Sequence, residues 1–153
     1  MHRIGLISDT HGLLRPAAVD FLRGCERIVH AGDIGDASIL EALDVLAPVT
    51  AVRGNNDREP PLARLPEAVT LQVGAVRLYV LHDLKQLAVD PAAAGVHVVV
   101  SGHSHRPLVE QRGGVLFVNP GSAGRRRFAL PICVGELRVD GREVTPRVVE
   151  LDG

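Results

Sequence analysis

Two histidines one residue apart, His103 and His105, lie in the stretch SGHSH directly after the apolar run VHVVV. Residues at i and i+2 on an extended chain face the same side, so both imidazoles are expected to address one site while Ser104 faces away. Either histidine alone would also suit a core position with one satisfied hydrogen bond. The rest of the chain separates the two readings. Asp9 and His11 follow RIGLIS, Asp33 follows RIVHAG, Asn55 follows VTAVRG, and His82 ends AVRLYVLH. With His103 and His105, five apolar runs end in groups that could bind a metal.

The set offers four imidazoles, two carboxylates and one amide oxygen. A transition ion takes about four to six donors, so seven protein donors divide naturally between two ions that share a carboxylate. Asp33 is the bridge chosen here. Nitrogen and oxygen donors without thiolate favour Mn, Fe, Zn, Co or Ni over Ca or Mg. Two divalent ions offset by Asp9 and Asp33 alone would attract an anion such as a phosphate. Ions ~3.5–4 Å apart clamp phosphoryl oxygens and generate hydroxide for in-line attack at phosphorus, so phosphate-ester hydrolysis is the chemistry expected.

Such a site needs strands whose carboxyl ends meet at one edge, as in open α/β sheets. Apolar runs alternate with helical patterns, which points to βαβ units. RIGLIS reads as a first strand, and Pro16 opens a helix that stops at Gly24. RIVHAGD reads as a second strand, and DASILEALDVLAP as a helix capped by Asp36, with Ile39, Leu40, Leu43 and Leu46 at helical spacing. VTAVRGNND follows as strand and loop. VTLQV and AVRLYVLH form an expected hairpin about Gly74, and DPAAAG an expected short helix before VHVVV. Four strands follow, PLVEQ, VLFVNPGS, ICVGELRVD and EVTPRVVEL, with Asp140-Gly141 as a two-residue turn. Residues 59–66, with three prolines, read as a surface loop.

Length and composition bound the partners. At 153 residues, 46% hydrophobic and 23% charged, a single domain over 1–153 is expected. With 3% aromatic residues and no Trp, the core must be aliphatic, and a base-stacking surface is not expected. The formal net charge of −1 gives no reason to expect nucleic acid or an anionic membrane as partner. Cys25 and Cys133 belong to no CxxC pair and read as free, packed thiols. MHRIGLIS is too short for a signal h-region, and no apolar run reaches the ~18 residues of a membrane span. The expectation is a soluble, cytoplasmic protein, with a homo-oligomer compatible but not required.

DTHG (Asp9 to Gly12), GD (Gly32-Asp33), GNND (Gly54 to Asp57), LHD (Leu81 to Asp83), GHSH (Gly102 to His105) and NPGS (Asn119 to Ser122) resemble, in order, the motifs of the calcineurin-like metallophosphoesterases, particularly the small YfcE-like group. The resemblance implies an α/β four-layer sandwich of two β-sheets flanked by helices. It implies one ion held by Asp9, His11, Asp33 and His105, and another by Asp33, Asn55, His82 and His103. The activity implied is metal-dependent phosphoester hydrolysis of a small molecule, diester ahead of monoester. Manganese is expected ahead of nickel, iron, zinc or cobalt. Asp33, Asn55 and Asn56 are the residues expected to act in the reaction.

Two positions depart from the pattern. Larger relatives often carry His where this chain has Asn56, and an amide cannot donate a proton as a general acid. The HGH often seen around the fifth motif is here His82-Asp83-Leu84. Elsewhere, Arg125 to Arg127 read as a solvated face, NPGS as a turn whose backbone N–H groups lie near the site, and His30 as a support behind the second motif. His2 and His97 have no assigned role. The competing reading is a metal-binding interaction scaffold, the role of the small retromer subunit with this fold. A nuclease would want a basic groove that this composition does not advertise.

Overall fold

β1 (His2–Ile7) is buried at its last four residues and pairs in parallel with β2 (Arg27–His30), which in turn pairs in parallel with β3 (Val49–Ala51). The computed structural model describes residues 1–151. Two helices make the crossovers. Helix α1 (Pro16–Leu22) begins at Pro16, which needs no N–H partner, and buries Ala18 and Leu22. Helix α2 (Ala37–Leu46) is capped by Asp36, whose side chain accepts from the Ser38 N–H at 2.9 Å, and buries Ile39 and Leu43. Antiparallel strands β9 (Cys133–Asp140) and β10 (Glu143–Glu150) complete a five-stranded sheet in the order β10-β9-β1-β2-β3. Pro146 is tolerated because β10 is an edge strand.

The second sheet has the order β4-β5-β6-β8-β7. It consists of the hairpin β4 (Ala68–Val73) and β5 (Val76–Leu81), then β6 (Val98–Val100), β7 (Leu108–Arg112) and β8 (Val115–Asn119). β5, β6 and β8 run parallel, while β4 and β7 are antiparallel to their neighbours. The sheets pack face to face through a core drawn from both, including Ile4, Leu6, Val29, Leu78, Val80, Val98, Val100 and Val118. Fully burying each such side chain contributes about 1.5–3 kcal/mol, so an aliphatic core suffices without Trp.

Both α-helices cover the outer face of the first sheet, where Leu22, Ile28, Ile39 and Leu43 join one cluster. The outer face of the second sheet carries a thinner layer: Val99, Val115 and Phe117 are covered by Leu84 and Leu87, around a 3-10 turn at Leu84–Gln86. The expected helix at DPAAAG is a succession of turns ending at Gly95 (φ 74°), because four residues after Asp90 are too few to nucleate a helix. The hairpin turn expected at Asp140-Gly141 lies one residue later, since Asp140 pairs with Glu143. Within residues 59–66, Leu62–Arg64 form one 3-10 turn. No helix among the described residues is long and apolar enough to cross a membrane.

Candidate metal centre

The carboxyl ends of β1, β2, β3, β5 and β6 bring all seven predicted donors together. Past the end of β1, the chain stays laced to the loop after β2: the N–H groups of Asp9, His11 and Gly12 donate to the carbonyls of Gly32, Asp33 and Ile34 at 2.8–3.0 Å. The second sheet is tied in by His82 Nδ1–H to the Ala31 carbonyl at 2.7 Å and by His103 N–H to Asp9 Oδ2 at 3.1 Å. Among the described residues, six non-glycine positions have positive φ, and five of them are Asp9, His11, Asp33, His103 and His105. Such backbone costs of order 1 kcal/mol or more per residue and persists only where its surroundings over-determine it. Here the surrounding loops and sheets hold it in place.

That backbone corrects the expected geometry of the GHSH histidines. His103 and His105 follow β6 in a bend and both have positive φ, so extended i, i+2 geometry does not apply. They diverge. His105 joins Asp9 and His11 in one group, and His103 joins Asp33 and His82 in another.

In the first group, Asp9 Oδ1 lies 3.5 Å from His105 Nε2 and 3.7 Å from His11 Nε2. Asp9 Oδ2 is occupied by the Ser8 hydroxyl (2.7 Å) and the His103 N–H, which leaves Oδ1 aimed at the imidazoles. Asp9 Oδ1, His11 Nε2 and His105 Nδ1 are buried without a hydrogen-bond partner. An unmet buried polar group costs about 1–3 kcal/mol, so Asp9 Oδ1 and His11 Nε2, which face each other, call for a shared partner, while His105 faces Asp9 through Nε2 rather than through its orphaned Nδ1. Donors ~2.1 Å from one ion sit roughly 3–3.5 Å apart along a coordination edge, close to the separations found. A cation fits this group.

In the second group, Asp33 Oδ2 lies 3.2 Å from His82 Nε2 and also 3.6 Å from His11 Nε2, so one carboxylate oxygen faces both groups. Asn55 Oδ1 lies 3.0 Å from His82 Nε2 and 3.2 Å from His103 Nδ1. The His82 Nδ1–H donates to the Ala31 carbonyl at 2.7 Å, which fixes Nε2 as the atom facing the site. Nε2 then meets two oxygen acceptors, an arrangement that calls for a proton or a metal ion. Burial works against a charge on His82, but the bond to Asp33 and the charges of Asp9 and Asp33 outweigh it and raise its pKa. Burial likewise opposes ionisation of Asp33, yet His82 and Asn56 hold that carboxyl below its usual range.

Asn56 donates twice to Asp33, from its backbone N–H to Oδ1 at 2.9 Å and from its side chain to Oδ2 at 3.0 Å. Asp83, in place of the glycine of HGH, has Oδ2 3.9 Å from His103 Nε2. His30 lies fully buried behind the site: its Nδ1 accepts from Gly32 N–H at 3.1 Å and its Nε2 faces the Thr10 hydroxyl at 3.0 Å, which itself donates to the Ile34 carbonyl at 2.8 Å. Burial holds its pKa down to about 4. His30 is thus a neutral strut between the loops that carry Asp9 and Asp33.

Sequence reasoning left Asp57, Asn119 and Ser122 without roles. Asp57, only 2% exposed, accepts from the N–H groups of Ile34, Gly35 and Gly54, and so braces the Asp33 loop against the Asn55 loop. Its place at the end of GNND was the available signal. Asn119 donates to the Gly102 carbonyl and to the Ser104 hydroxyl, and Ser122 to the Asp9 carbonyl, so NPGS acts mainly through side chains. Gly54 and Gly102 permit the close approach: a methyl at Gly54 would overlap the Asp33 carboxylate, and one at Gly102 would lie 2.7 Å from Asp9 Oδ2. Arg125 to Arg127 are exposed and line neither cleft beside the site. His2 pairs with Glu26 and His97 accepts from Arg77 N–H.

Comparison with known proteins adds four likenesses. Residues 2–142 match the calcineurin-like phosphoesterase superfamily domain. The chain is 36% identical to a probable metallophosphoesterase of Methanothermobacter thermautotrophicus, covering 95% of this chain and 91% of that one. It is 32% identical to the phosphodiesterase YfcE of Escherichia coli strain K12, covering 92% and 89% respectively. The fold superposes on Vps29 of Chaetomium thermophilum with a TM-score of 0.85 at 20% identity, over 99% of this chain and 90% of that one.

Proposed function

The chain belongs to the calcineurin-like phosphoesterase superfamily, and from that membership we propose that it hydrolyses phosphodiesters with the help of two divalent ions. The observation that carries this reading is the pair of orphaned buried atoms Asp9 Oδ1 and His11 Nε2 beside a carboxylate, Asp33, whose Oδ2 faces both groups. Asp9, His11, Asp33 and His105 would hold one ion, and Asp33, Asn55, His82 and His103 the other. Bound there, divalent ions supply charge neutralisation at the phosphoryl group and acidify water at neutral pH; manganese is our first choice.

The chain's own groups prepare that chemistry. Ser8 and the His103 amide fix Asp9, and Asn56 and His82 keep Asp33 ionised and aimed. His82 is oriented by the Ala31 carbonyl before an ion arrives, and its contact with Asn55 is one that an ion would replace. Asn56 serves as a positioning group, because its amide holds Asp33 and has no proton to give a leaving group. Esters with acidic leaving groups should therefore react much faster than alkyl esters. A rate independent of leaving-group pKa would contradict this.

The test compares Mn-dependent hydrolysis of bis(p-nitrophenyl) phosphate with that of p-nitrophenyl phosphate. Metal-dependent turnover, faster for the diester, is expected. One observation favours a second reading, an interaction scaffold: no proton donor stands at Asn56. Two bound ions without turnover would support that reading instead.

A further inference from the structure

Two clefts open on either side of the second donor group, and they carry opposite charge. One, of about 370 Å³, is bordered by Asn55, His82 and Tyr79 and contains Arg53, Glu67 and Asp83, one cation against two carboxylates. Arg53 is also spoken for, with Nη2 2.6 Å from Glu67 Oε1. The other, of about 790 Å³, is bordered by His103 and Ser104 and contains Lys85, Arg106 and Arg112 against Asp83 alone. Arg112 pairs with Glu110 at 2.8 Å. Among the described residues, Lys85 and Arg106 meet no carboxylate within salt-bridge distance, and Arg106 directly follows the donor His105. Leu84, Pro107 and Leu108 supply an apolar wall.

We infer that the cationic cleft takes a second anionic group, carried on one arm of the phosphodiester, between Lys85 and Arg106. This rests on the phosphodiesterase reading and deepens it. A phosphoryl group engaged at the donor groups leaves its two ester arms to the two clefts. Asp83 borders both clefts; beyond it, a further negative charge meets Glu67 and a paired Arg53 on one side and two unpaired cations on the other. Guanidinium and ammonium groups bind phosphate or carboxylate through charge-assisted hydrogen bonds. The substrate class is therefore an asymmetric diester with an apolar or ring-bearing arm that ends in phosphate or carboxylate.

The experiment is calorimetric titration of the manganese-loaded protein with thymidine 5′-phosphate, thymidine 3′,5′-bisphosphate and 3′-O-succinyl thymidine 5′-phosphate. The bisphosphate should bind about tenfold tighter than the monophosphate, with the advantage shrinking as salt rises. In Lys85→Ala/Arg106→Ala, both substitutions of exposed side chains, the two affinities should converge within about twofold. A gain with the 3′-phosphate supports a phosphate site, and a gain with the succinyl group alone supports a carboxylate site. Equal binding of all three ligands, or an advantage that survives the double substitution, overturns the proposal. Turnover of bis(p-nitrophenyl) phosphate is followed on the same preparation. If that turnover is absent while the binding preference remains, the phosphodiesterase reading fails and the anion site stands.

Discussion

The two donor groups differ in what they lack. Asp9 Oδ1 and His11 Nε2 are buried and face each other with no hydrogen-bond partner, whereas Asn55 Oδ1 lies within hydrogen-bond distance of both His82 and His103, and His103 is 44% exposed. An ion entering the first group relieves unmet polar atoms in a dry site; one entering the second must displace existing contacts beside solvent. The first group should therefore bind its ion more tightly, although the same carboxylate faces both. Pre-organisation and burial set the order of filling, because the kinds of donor are nearly the same.

The most severe way to break the comparison is to remove what the groups share. Asp33→Ala is expected to lower metal-dependent diester turnover by about 10³-fold and to leave at most one ion bound, read by steady-state kinetics and metal analysis. Substitution within one group sharpens it. His105→Ala should abolish the tighter of two calorimetric binding steps and lower turnover about 10²-fold, with the weaker step still visible. His103→Ala should do the reverse, losing the weaker step at a cost of roughly 10-fold to 10²-fold in turnover. If both variants lose the same step, the groups are not distinct.

The gentlest probe is the strut behind both groups. Burial holds His30 at about 4 in the folded protein against an ordinary 6.5, so between those values the unfolded chain binds the extra proton. Its contribution to stability is therefore complete above pH 6.5 and is lost as pH falls toward about 4, by about 3 kcal/mol over the window. Urea denaturation of the metal-free protein should show this slope, and His30→Gln should flatten it. An unaltered slope would mean that His30 is not the strut described.

Much of the site was legible because the signal was local and repeated. Asp9, His11, Asp33, Asn55, His82, His103 and His105 each follow an apolar run, and parallel strands must bring such ends to one edge. The strands themselves were legible where alternation or continuous apolar runs were long, as at β8 and β9. Reading failed at DPAAAG, where a good cap and turn-opening proline preceded a segment too short for a helix, and at the Asp140-Gly141 turn, where register moved the loop by one residue.

The sequence by itself determined the donor types, their number and the shared edge, since these follow from side-chain chemistry and strand periodicity. Donor types and periodicity left open which histidine serves which group, a division that only the family resemblance implied. It depends on the left-handed backbone at His103 and His105, held by contacts of this loop with Asp9, His82 and Asn119 from distant parts of the chain. Tertiary structure alone decided the roles of Asn56, Asp57 and His30, and the opposite charge of the two clefts. Those depend on hydrogen bonds and charge pairs between loops separated by tens of residues, and no local pattern encodes which loops will meet.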